Sequence, residues 1–321
     1  MPTPITLQPP ASHVRPRSKR GISPEHPCFT VSCDAWTFHS LEFFLQGRPP
    51  PEHIREIEAS VLHPEVRRRT FRDALTGRRA IRGYSVITHF SAPETTRLLS
   101  LSEIAGVINA SLREFPWLRE PRLSVSRIDL ASDHLVSAPP GHVCDLIAEL
   151  NLPHSQRIAK YREHGDPYHT VYHVSGRRSL EPIPFGEHHR KGKQPVVVAH
   201  YPRLEALERL AWETVSAAAV EYRNDRVRQE VRFRREAIRR CSGPGSATLG
   251  AVLGSFPAFV RAAERRLRPI TREGILSLPG ADHEGEEALL ALVVGVERGS
   301  YRDSRLSAEV PRRDSYGGAH A

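Results

Sequence analysis

Lysine, cysteine and long apolar segments are all scarce in this chain of 321 residues. Only four of its 46 basic residues are lysine, so nearly all of its positive charge is arginine. The longest strongly apolar run, Ala288 to Val296, is far shorter than the roughly 20 residues that span a bilayer. The N-terminal segment lacks the apolar core of a signal peptide. These absences argue against a membrane protein and lead us to expect a cytoplasmic one.

The cysteines and the sequence motifs exclude several common kinds of structural and catalytic site. None of the four forms a Cys-x-x-Cys pair, and cytoplasmic thiols are normally reduced. A zinc site built from His26, Cys28, Cys33 and His39 would match no standard ligand spacing. The chain also lacks the phosphate loop of ATPases and the Gly-x-Ser-x-Gly turn of serine hydrolases. We therefore expect neither a disulfide framework nor these common catalytic centres.

Arginine gives the chain a formal net charge of +9 and a pI near 9.8. A guanidinium binds phosphate through two parallel donors, and a basic protein attracts nucleic acid or an anionic membrane. A GC-rich genome is an alternative explanation, because arginine, alanine, proline and glycine codons are GC-rich. The arginines cluster most densely at Arg67, Arg68, Arg69, Arg72, Arg78, Arg79 and Arg82. Such a run is typical either of a solvated face or of a phosphate-contacting surface.

Composition divides the chain into four segments. Residues 1–27 are rich in proline and basic side chains and poor in apolar ones, which predicts a disordered arm. Residues 28–245 carry the patterned elements and are predicted to form a catalytic domain. Residues 246–301 are predicted to be a helical C-terminal region, and residues 302–321 a disordered tail.

Alternating apolar and polar residues predict several strands within 28–245. Helices are predicted between them, and one begins at a capping box formed by Ser100 and Glu103. Another helix is predicted from Arg203 to Val220. The strands are predicted at Gly83–Phe90, Leu123–Ala131, Thr170–Val174, Pro195–Tyr201 and Arg226–Arg235. Alternating rather than wholly apolar strands favour an α+β fold in which an antiparallel sheet packs helices on one face.

Three of these strands carry charged or phenolic side chains on faces that packing alone would fill with apolar residues. Asp129 lies on one face of its strand together with Arg127, and Tyr201 ends another strand. Glu230 stands between Arg228 and Arg232. Carboxylates from two strands are suitable ligands for Mg²⁺ or Mn²⁺, and flanking arginines suit a phosphate. The same pattern is typical of solvated Arg/Glu ladders at a strand edge, and this alternative stays open.

Four segments in this order and spacing resemble the gene II replication proteins of filamentous phages and, more weakly, plasmid rolling-circle initiators. They are VSRIDLA (125–131), TVYHVSGRRS (170–179), VVVAHYPRLEAL (196–207) and RVRQEVRFRREAIRR (226–240). The likeness covers about residues 98–245. The family nicks one strand of double-stranded origin DNA and starts rolling-circle replication. The resemblance therefore implies that this chain is a DNA nickase that works with a host helicase and a host polymerase.

The resemblance also implies roles for individual residues. Tyr201 would be the nucleophile that forms a phosphotyrosine bond to DNA, with Tyr172 as the second candidate. Asp129 and Glu230 would hold Mg²⁺ or Mn²⁺, and Arg203 stands where the family often has lysine. Pro202 directly after the tyrosine departs from the family pattern. Arg203 is expected to be catalytic together with Tyr201, since Arg203, Arg228 and Arg232 would stabilise the charge that develops on the phosphate. The residues expected to bind DNA are Arg127, Arg228 and Arg232, and, from the arginine run alone, Arg67, Arg68 and Arg69.

Two other functions are compatible with the sequence. The chain could be a DNA-binding protein without catalysis, in which case the arginine runs are its whole interface and Asp129 and Glu230 are structural. It could also be a mobilisation relaxase, which uses similar chemistry in DNA transfer. Strand cleavage separates the first of these from a nickase.

Overall fold

The structure is a computed structural model, and it describes most of the chain between residues 28 and 306. The described ranges are 28–47, 49–60, 64–72, 79–114, 123–151, 171–175, 180–181, 196–204, 216–243, 247–272 and 274–306. The predicted disordered arm, residues 1–27, lies outside them. Within these ranges, no helix is both long enough and apolar enough to cross a membrane.

One curled antiparallel sheet organises the described residues. Its strands are β1 (Thr30–Cys33), β2 (Thr37–Gln46), β3 (Glu65–Arg72), β4 (Arg79–His89), β5 (Leu123–Val136), β6 (Val171–Ser175), β7 (Leu180–Glu181), β8 (Val196–Pro202) and β9 (Arg226–Arg234). The strand order is β3-β4-β2-β5-β9-β8-β6-β7, and β1 pairs with the far end of β5. The predicted α+β class with an antiparallel sheet is confirmed.

Eight helices accompany the sheet in the described residues. They are α1 (Pro51–Glu58), α2 (Leu101–Glu114), α3 (Pro140–Asn151), α4 (Ala217–Arg223), α5 (Arg235–Ser242), α6 (Leu249–Gly254), α7 (Phe256–Arg272) and α8 (His283–Leu306). The predicted capping box is confirmed at the start of α2. There the Ser100 hydroxyl accepts a hydrogen bond from the Glu103 amide, and the Glu103 carboxylate accepts one from the Ser100 amide.

The sheet has an apolar face and a polar face. In β9, Val227, Val231 and Phe233 enter the core, which α2, α3 and the helices after β9 also share. We call the opposite surface the polar face; its central charged residues are Asp129, Asp133, Arg228, Glu230 and Arg232. Helix α4 lies against this polar face, since its Tyr222 hydroxyl reaches Asp133. The prediction that helices pack on one face therefore holds for the core helices and not for α4.

Two β-bulges change which residues share a face. The pairing of β2 with β5 shifts between Phe38 and Ser40, and shifts again opposite Ser126 of β5. Strict alternation would place Val125 on the same face as Asp129. Because of the second bulge, Val125 instead packs in the core beside Ile128. The predicted face assignment is therefore wrong for the first part of β5 and correct from Arg127 onward.

The C-terminal helices share the core of the sheet. The Phe256 ring packs edge-on against Phe38, with ring centroids 5.1 Å apart, and Phe259 packs in the same way against Phe233. The first strand also joins this region, because the Ser277 amide donates to the Thr30 hydroxyl. Helices α6, α7 and most of α8 lie within residues 246–301, and the first two pack against the core of the sheet. Helix α8 continues over residues 302–306, the start of the predicted disordered tail.

The predicted helix from Arg203 to Val220 is not continuous. Residues 205–215 lie outside the described ranges, and α4 begins only after Ser216. Ser216 has an extended backbone, and its hydroxyl accepts a hydrogen bond from the Ala219 amide. This N-cap satisfies one of the amides that the first turn of any helix leaves unpaired, and it marks a new helix start.

Candidate functional site

The polar face brings two carboxylates and an imidazole together near the centre of the sheet. Asp129 comes from β5, Glu230 from the neighbouring β9, and His39 from β2 on the other side of β5. Their potential ligand atoms all lie within 4.8 Å of one another. The two carboxylates are almost fully buried, while about a fifth of the His39 side chain is exposed. The three residues therefore form a cluster that could hold a divalent cation.

The bulge in β2 is what brings His39 to this cluster. Phe38 pairs with Leu130 and Ser40 pairs with Asp129, so His39 is the extra residue between two consecutive partners. A bulged residue leaves the regular alternation and can turn toward the face that its neighbour also uses. As a result, His39 and Ser40 both reach the carboxylates, His39 at Glu230 and Ser40 at Asp129.

Glu230 contacts three side chains around the cluster. Its Oε2 lies 3.1 Å from Nδ1 of His39 and accepts a hydrogen bond from the Tyr201 hydroxyl at 3.0 Å. Its Oε1 accepts from Nη2 of Arg232 at 2.8 Å. Burial alone would raise the pKa of Glu230, but the hydrogen bond to His39 and the charges of Arg232 and Arg228 hold it well below the ordinary value. Glu230 is therefore a carboxylate at neutral pH.

Asp129 accepts hydrogen bonds from a second set of side chains. Its Oδ1 accepts from Nε of Arg232 at 2.9 Å, and its Oδ2 accepts from the Ser40 hydroxyl at 2.9 Å. A second guanidinium, that of Arg127, lies 3.2 Å from Oδ2. Arg232 thus bridges the two carboxylates of the cluster. Because each oxygen has two lone pairs, these contacts leave acceptor capacity for a cation.

The donor set suits a divalent metal. Carboxylate oxygens prefer Mg²⁺ and Mn²⁺, whereas imidazole is the more usual ligand of later transition metals. Burial lowers the pKa of His39, and the positive charge of Arg228 lowers it further. A neutral imidazole is the protonation state that a metal ligand requires. The mixed set of two oxygens and one nitrogen does not select between Mg²⁺ and Mn²⁺.

Tyr201 adjoins this cluster as the sequence predicted. In β8 it pairs with Arg228, two residue pairs along the strands from the pair formed by Ala199 and Glu230, so both pairs lie on the same face. Burial raises the pKa of its phenol far above the ordinary value, and the negative charge of Glu230 raises it further. The hydroxyl is therefore protonated at neutral pH and donates its proton toward Glu230.

Arg203 and Arg228 are buried, whereas an arginine that binds a DNA phosphate has to be accessible. Both are almost fully buried, with side-chain exposures of 4% and 1%. Arg228 donates two hydrogen bonds to Asp133, at 2.6 and 2.7 Å, and Nε of Arg203 lies 3.4 Å from the same carboxylate. Alternation along β9 placed Arg228 on the correct face, whereas Arg203 was implied only by the resemblance, and neither argument could show that both arginines are buried against Asp133.

The arginines of β3 continue the charged surface toward the sheet edge. Arg67, Arg68 and Arg69 are exposed. Arg67 is paired with Glu65, and Arg69 donates to Glu42 at 2.8 Å. Glu42 also lies 3.4 Å from Arg127. This carboxylate therefore links Arg69 of β3 to Arg127, which lies beside Asp129.

Sequence reasoning missed His39, Ser40 and Glu42 as parts of this site. A signal was present: the buried residues Phe38 and Leu41 are three positions apart, where an unbroken strand would space them by two. Such a break in alternation indicates a bulge, and bulges are frequent beside active sites. His39 was considered only as a zinc ligand, together with two cysteines.

Among the described residues, Cys28, Cys33 and His39 do not form a common metal-binding group. The Cys28 thiol lies 3.5 Å from the Ser277 hydroxyl, and the Cys33 thiol contacts the Leu278 carbonyl. His39 is instead committed to Glu230, and His26 lies outside the described residues.

Tyr172, the alternative nucleophile, is described only through its backbone, which pairs with Ala199 in β8.

Comparisons with known proteins add little to these observations. No protein-family model matches the chain, and no curated protein matches it. Among solved structures, a rolling circle replication initiator protein from Geobacillus stearothermophilus is similar at 10% sequence identity and a TM-score of 0.31. The match covers 83% of this chain and 97% of that chain. At this level of similarity, the function of the chain has to be argued from its own residues.

Proposed function

We propose that this protein is a metal-dependent DNA nickase that initiates rolling-circle replication through a tyrosyl-DNA intermediate. One observation carries the proposal. The Tyr201 hydroxyl lies 3.0 Å from Glu230 within a cluster that could hold a divalent cation, on a sheet face with several arginines. The likeness of four sequence segments to the gene II replication proteins supports the same reaction.

The proposed step is an attack of the Tyr201 oxygen on a phosphodiester of the origin strand. A bond forms between phosphorus and the phenolic oxygen, and the bond from phosphorus to the 3′ oxygen breaks. The phenolic proton passes to solvent along the hydrogen bond to Glu230, whose carboxylate stays ionised, and the departing 3′ oxygen takes a proton from water. The products are a 5′-phosphotyrosyl enzyme and a free 3′ hydroxyl, which a host polymerase extends once a host helicase opens the duplex.

Arg127 and Arg232 are the cations best placed to stabilise the phosphate. About a fifth of each side chain is exposed, and each contacts a carboxylate of the cluster. Fixed positive charges beside a phosphoryl group stabilise the charge that develops during transfer. His39, Asp129 and Glu230 would hold Mg²⁺ or Mn²⁺, which supplies Lewis-acid polarisation of a phosphate oxygen when bound.

Under this proposal, Arg203 and Arg228 act as positioning residues behind Tyr201. They are anchored on Asp133, and the Arg203 amide also donates to the Arg226 carbonyl at 2.8 Å. The arginines of β3, Arg67, Arg68 and Arg69, would contact DNA phosphates at a distance from the reaction. Because they are exposed, their contribution to binding should depend steeply on salt.

A DNA-binding protein without catalysis is the second candidate, and one observation favours it. Both carboxylates of the cluster already pair with Arg232, and Asp129 also contacts Arg127. A buried network balanced in this way could serve only to hold the sheet together. The protein would then bind DNA with a strong salt dependence and leave the DNA strand uncleaved.

The test is a nicking assay on supercoiled DNA that carries the flanking region of the gene. Wild-type protein, Tyr201→Phe and Tyr172→Phe are compared with Mg²⁺, with Mn²⁺ and with EDTA, and denaturing gels report nicked strand and covalent adduct. Tyr84→Phe, a half-buried tyrosine of β4, is the matched control. We expect Tyr201→Phe alone to lose both products.

The other outcomes separate the alternatives. An adduct that persists in Tyr201→Phe but is lost in Tyr172→Phe moves the nucleophile to β6. Nicking without an adduct in the wild type makes water the nucleophile. Tight binding without nicking, on a fragment shown to contain the origin, establishes the binding protein instead.

A further inference from the structure

A cavity of about 250 Å³ opens where β1 leads into β2. Trp36, Leu98 and Leu99 give it apolar walls, and Asp34, Arg97, Tyr222 and Asp282 add polar groups. Two of these are already engaged: Asp282 is the N-cap of α8, where its Oδ1 accepts a hydrogen bond from the Gly285 amide, and Arg97 is paired with Glu103. Asp34 is exposed, so the cavity is accessible from solvent on that side. The cavity therefore combines an apolar slot with an accessible carboxylate and a guanidinium that is paired with Glu103.

One polar group of this cavity has unmet hydrogen-bonding capacity. The Tyr222 hydroxyl lies 3.0 Å from Oδ2 of Asp34 and 3.2 Å from Oδ2 of Asp133, yet it has only one proton to donate. Among the described contacts, Asp34 thus shares its side-chain donor with a second carboxylate. The indole N–H of Trp36 also has no acceptor among the described residues, but it is buried and therefore not available to a ligand in the cavity. A ligand with N–H donors of its own would complete the hydrogen bonding of Asp34.

The cavity lies on the same side of the sheet as His39, Asp129 and Glu230. Tyr222 links it to Asp133, which is four residues from Asp129 along β5. At roughly 3.3 Å per residue, the two aspartates are about 13 Å apart along the strand. A DNA strand lying over the cluster would pass the cavity within a few nucleotides. Its negative carboxylates are partly offset by Arg226, whose guanidinium stacks on the Tyr222 ring at 4.4 Å.

We propose that this cavity binds one unpaired base of the DNA strand beside the nick and favours guanine. The proposal rests on the proposed function, because it takes the ligand to be the nicked strand. Proteins read single-stranded bases by inserting them between apolar and aromatic side chains and bonding their pairing edge. Guanine presents two adjacent N–H donors on that edge, which matches both oxygens of the Asp34 carboxylate. Adenine and cytosine place an acceptor beside their amino group, which a carboxylate repels.

The test measures binding and does not require cleavage. Short oligothymidylates with one central guanine, hypoxanthine or adenine are titrated with the full chain in EDTA, and fluorescence anisotropy reports affinity. We expect the guanine strand to bind about tenfold tighter than the all-thymine strand, the range that a bidentate base contact provides. Hypoxanthine, which lacks the 2-amino donor, should lose most of this gain.

Two variants assign the effect to the cavity. Asp34→Asn should abolish the guanine preference. Asp225→Asn removes the same charge at an exposed turn, where the residue has a φ of 54° that asparagine tolerates, and should retain the preference. Equal binding of all strands by wild-type protein overturns the proposal, and so does a preference that survives in Asp34→Asn.

A further arm adds free GMP as competitor. GMP that competes with DNA while the strands show no base preference would make a free nucleotide the ligand and overturn the assignment to the DNA strand. Because the strands stay intact in EDTA, a guanine preference without any nicking activity would leave this site standing while the proposed function fails.

Discussion

The buried pair of Asp133 and Arg228 gives the sharpest prediction about stability. Asp133 has no exposed surface, and Arg228 is 1% exposed. The guanidinium donates to both carboxylate oxygens, and Arg203 adds a second positive charge 3.4 Å away. Burial alone would raise the pKa of Asp133, yet Arg228 and Arg203 hold it far below its ordinary value, which shows how strongly these charges are coupled.

Replacing Asp133 with asparagine keeps the shape of the side chain and removes its charge. Two guanidiniums would then stay buried without a counter-charge. Breaking a buried ion pair from one side costs about 3–5 kcal/mol, because the remaining charge is desolvated and unpaired. With a total stability on the order of 5–15 kcal/mol, Asp133→Asn should lose a large share of its free energy of unfolding.

Urea denaturation followed by circular dichroism measures this loss. The matched control is Glu65→Gln, which neutralises a carboxylate paired with Arg67 at the exposed sheet edge and should cost only about 0–1 kcal/mol. An Asp133→Leu, Arg228→Met double variant should recover part of the loss, since it leaves one buried charge fewer. A loss below about 1 kcal/mol in Asp133→Asn, with an unchanged denaturant slope, would refute the reasoning and mean that water reaches these guanidiniums.

Three further predictions concern pH, metal binding and backbone contact. Burial lowers the pKa of His134 to about 4, below the roughly 6.5 of an unfolded chain, so the unfolded state binds its proton first and stability should fall as pH is lowered between these values. The full effect is about 3 kcal/mol, and urea denaturation at both ends of the window should show a smaller fall in His134→Gln. His39→Ala should weaken Mn²⁺ binding by at least about tenfold in calorimetry, while His142→Ala, at an exposed helix position, should not. Gly83→Ala should destabilise the sheet by about 1–3 kcal/mol in thermal denaturation, because a Cβ there would lie 2.3 Å from the Leu45 carbonyl oxygen; an unchanged midpoint would contradict this contact.

Local patterns were sufficient for much of the sheet. The strands at Leu123–Ala131 and Arg226–Arg235 were predicted from alternation and the strand at Pro195–Tyr201 from its β-branched residues, and all three form, with bounds that differ by a few residues. Spacing singled out Asp129, Glu230 and Tyr201 as polar groups on three strands. That they share one face follows from the pairing of β5 with β9 and of β9 with β8, since paired residues share a face.

The remaining features of the site depend on contacts that are distant in sequence. His39 reaches Glu230 only because β2 pairs with β5 through a bulge, and local periodicity carries no information about pairing partners. The burial of Arg228 depends on Asp133 and on α4 above it, which no strand pattern reveals. Residue spacing could therefore predict the carboxylates, but it could not separate the arginines that face solvent from those that are buried.

The bond between Thr30 and Ser277 has a consequence for how the chain folds during synthesis. These residues are 247 positions apart, and they tie the first strand to the segment before the last helix. At a ribosomal rate of 5–20 residues per second, roughly 12 to 50 seconds pass between the emergence of the two partners. Until then, the described strand pairing of β1 is with β5, which is itself made about 100 residues after β1, and the rings of Phe38 and Phe233 lack their partners in α7. The part of the apolar sheet face that α7 covers is therefore completed only when the last third of the chain has been made.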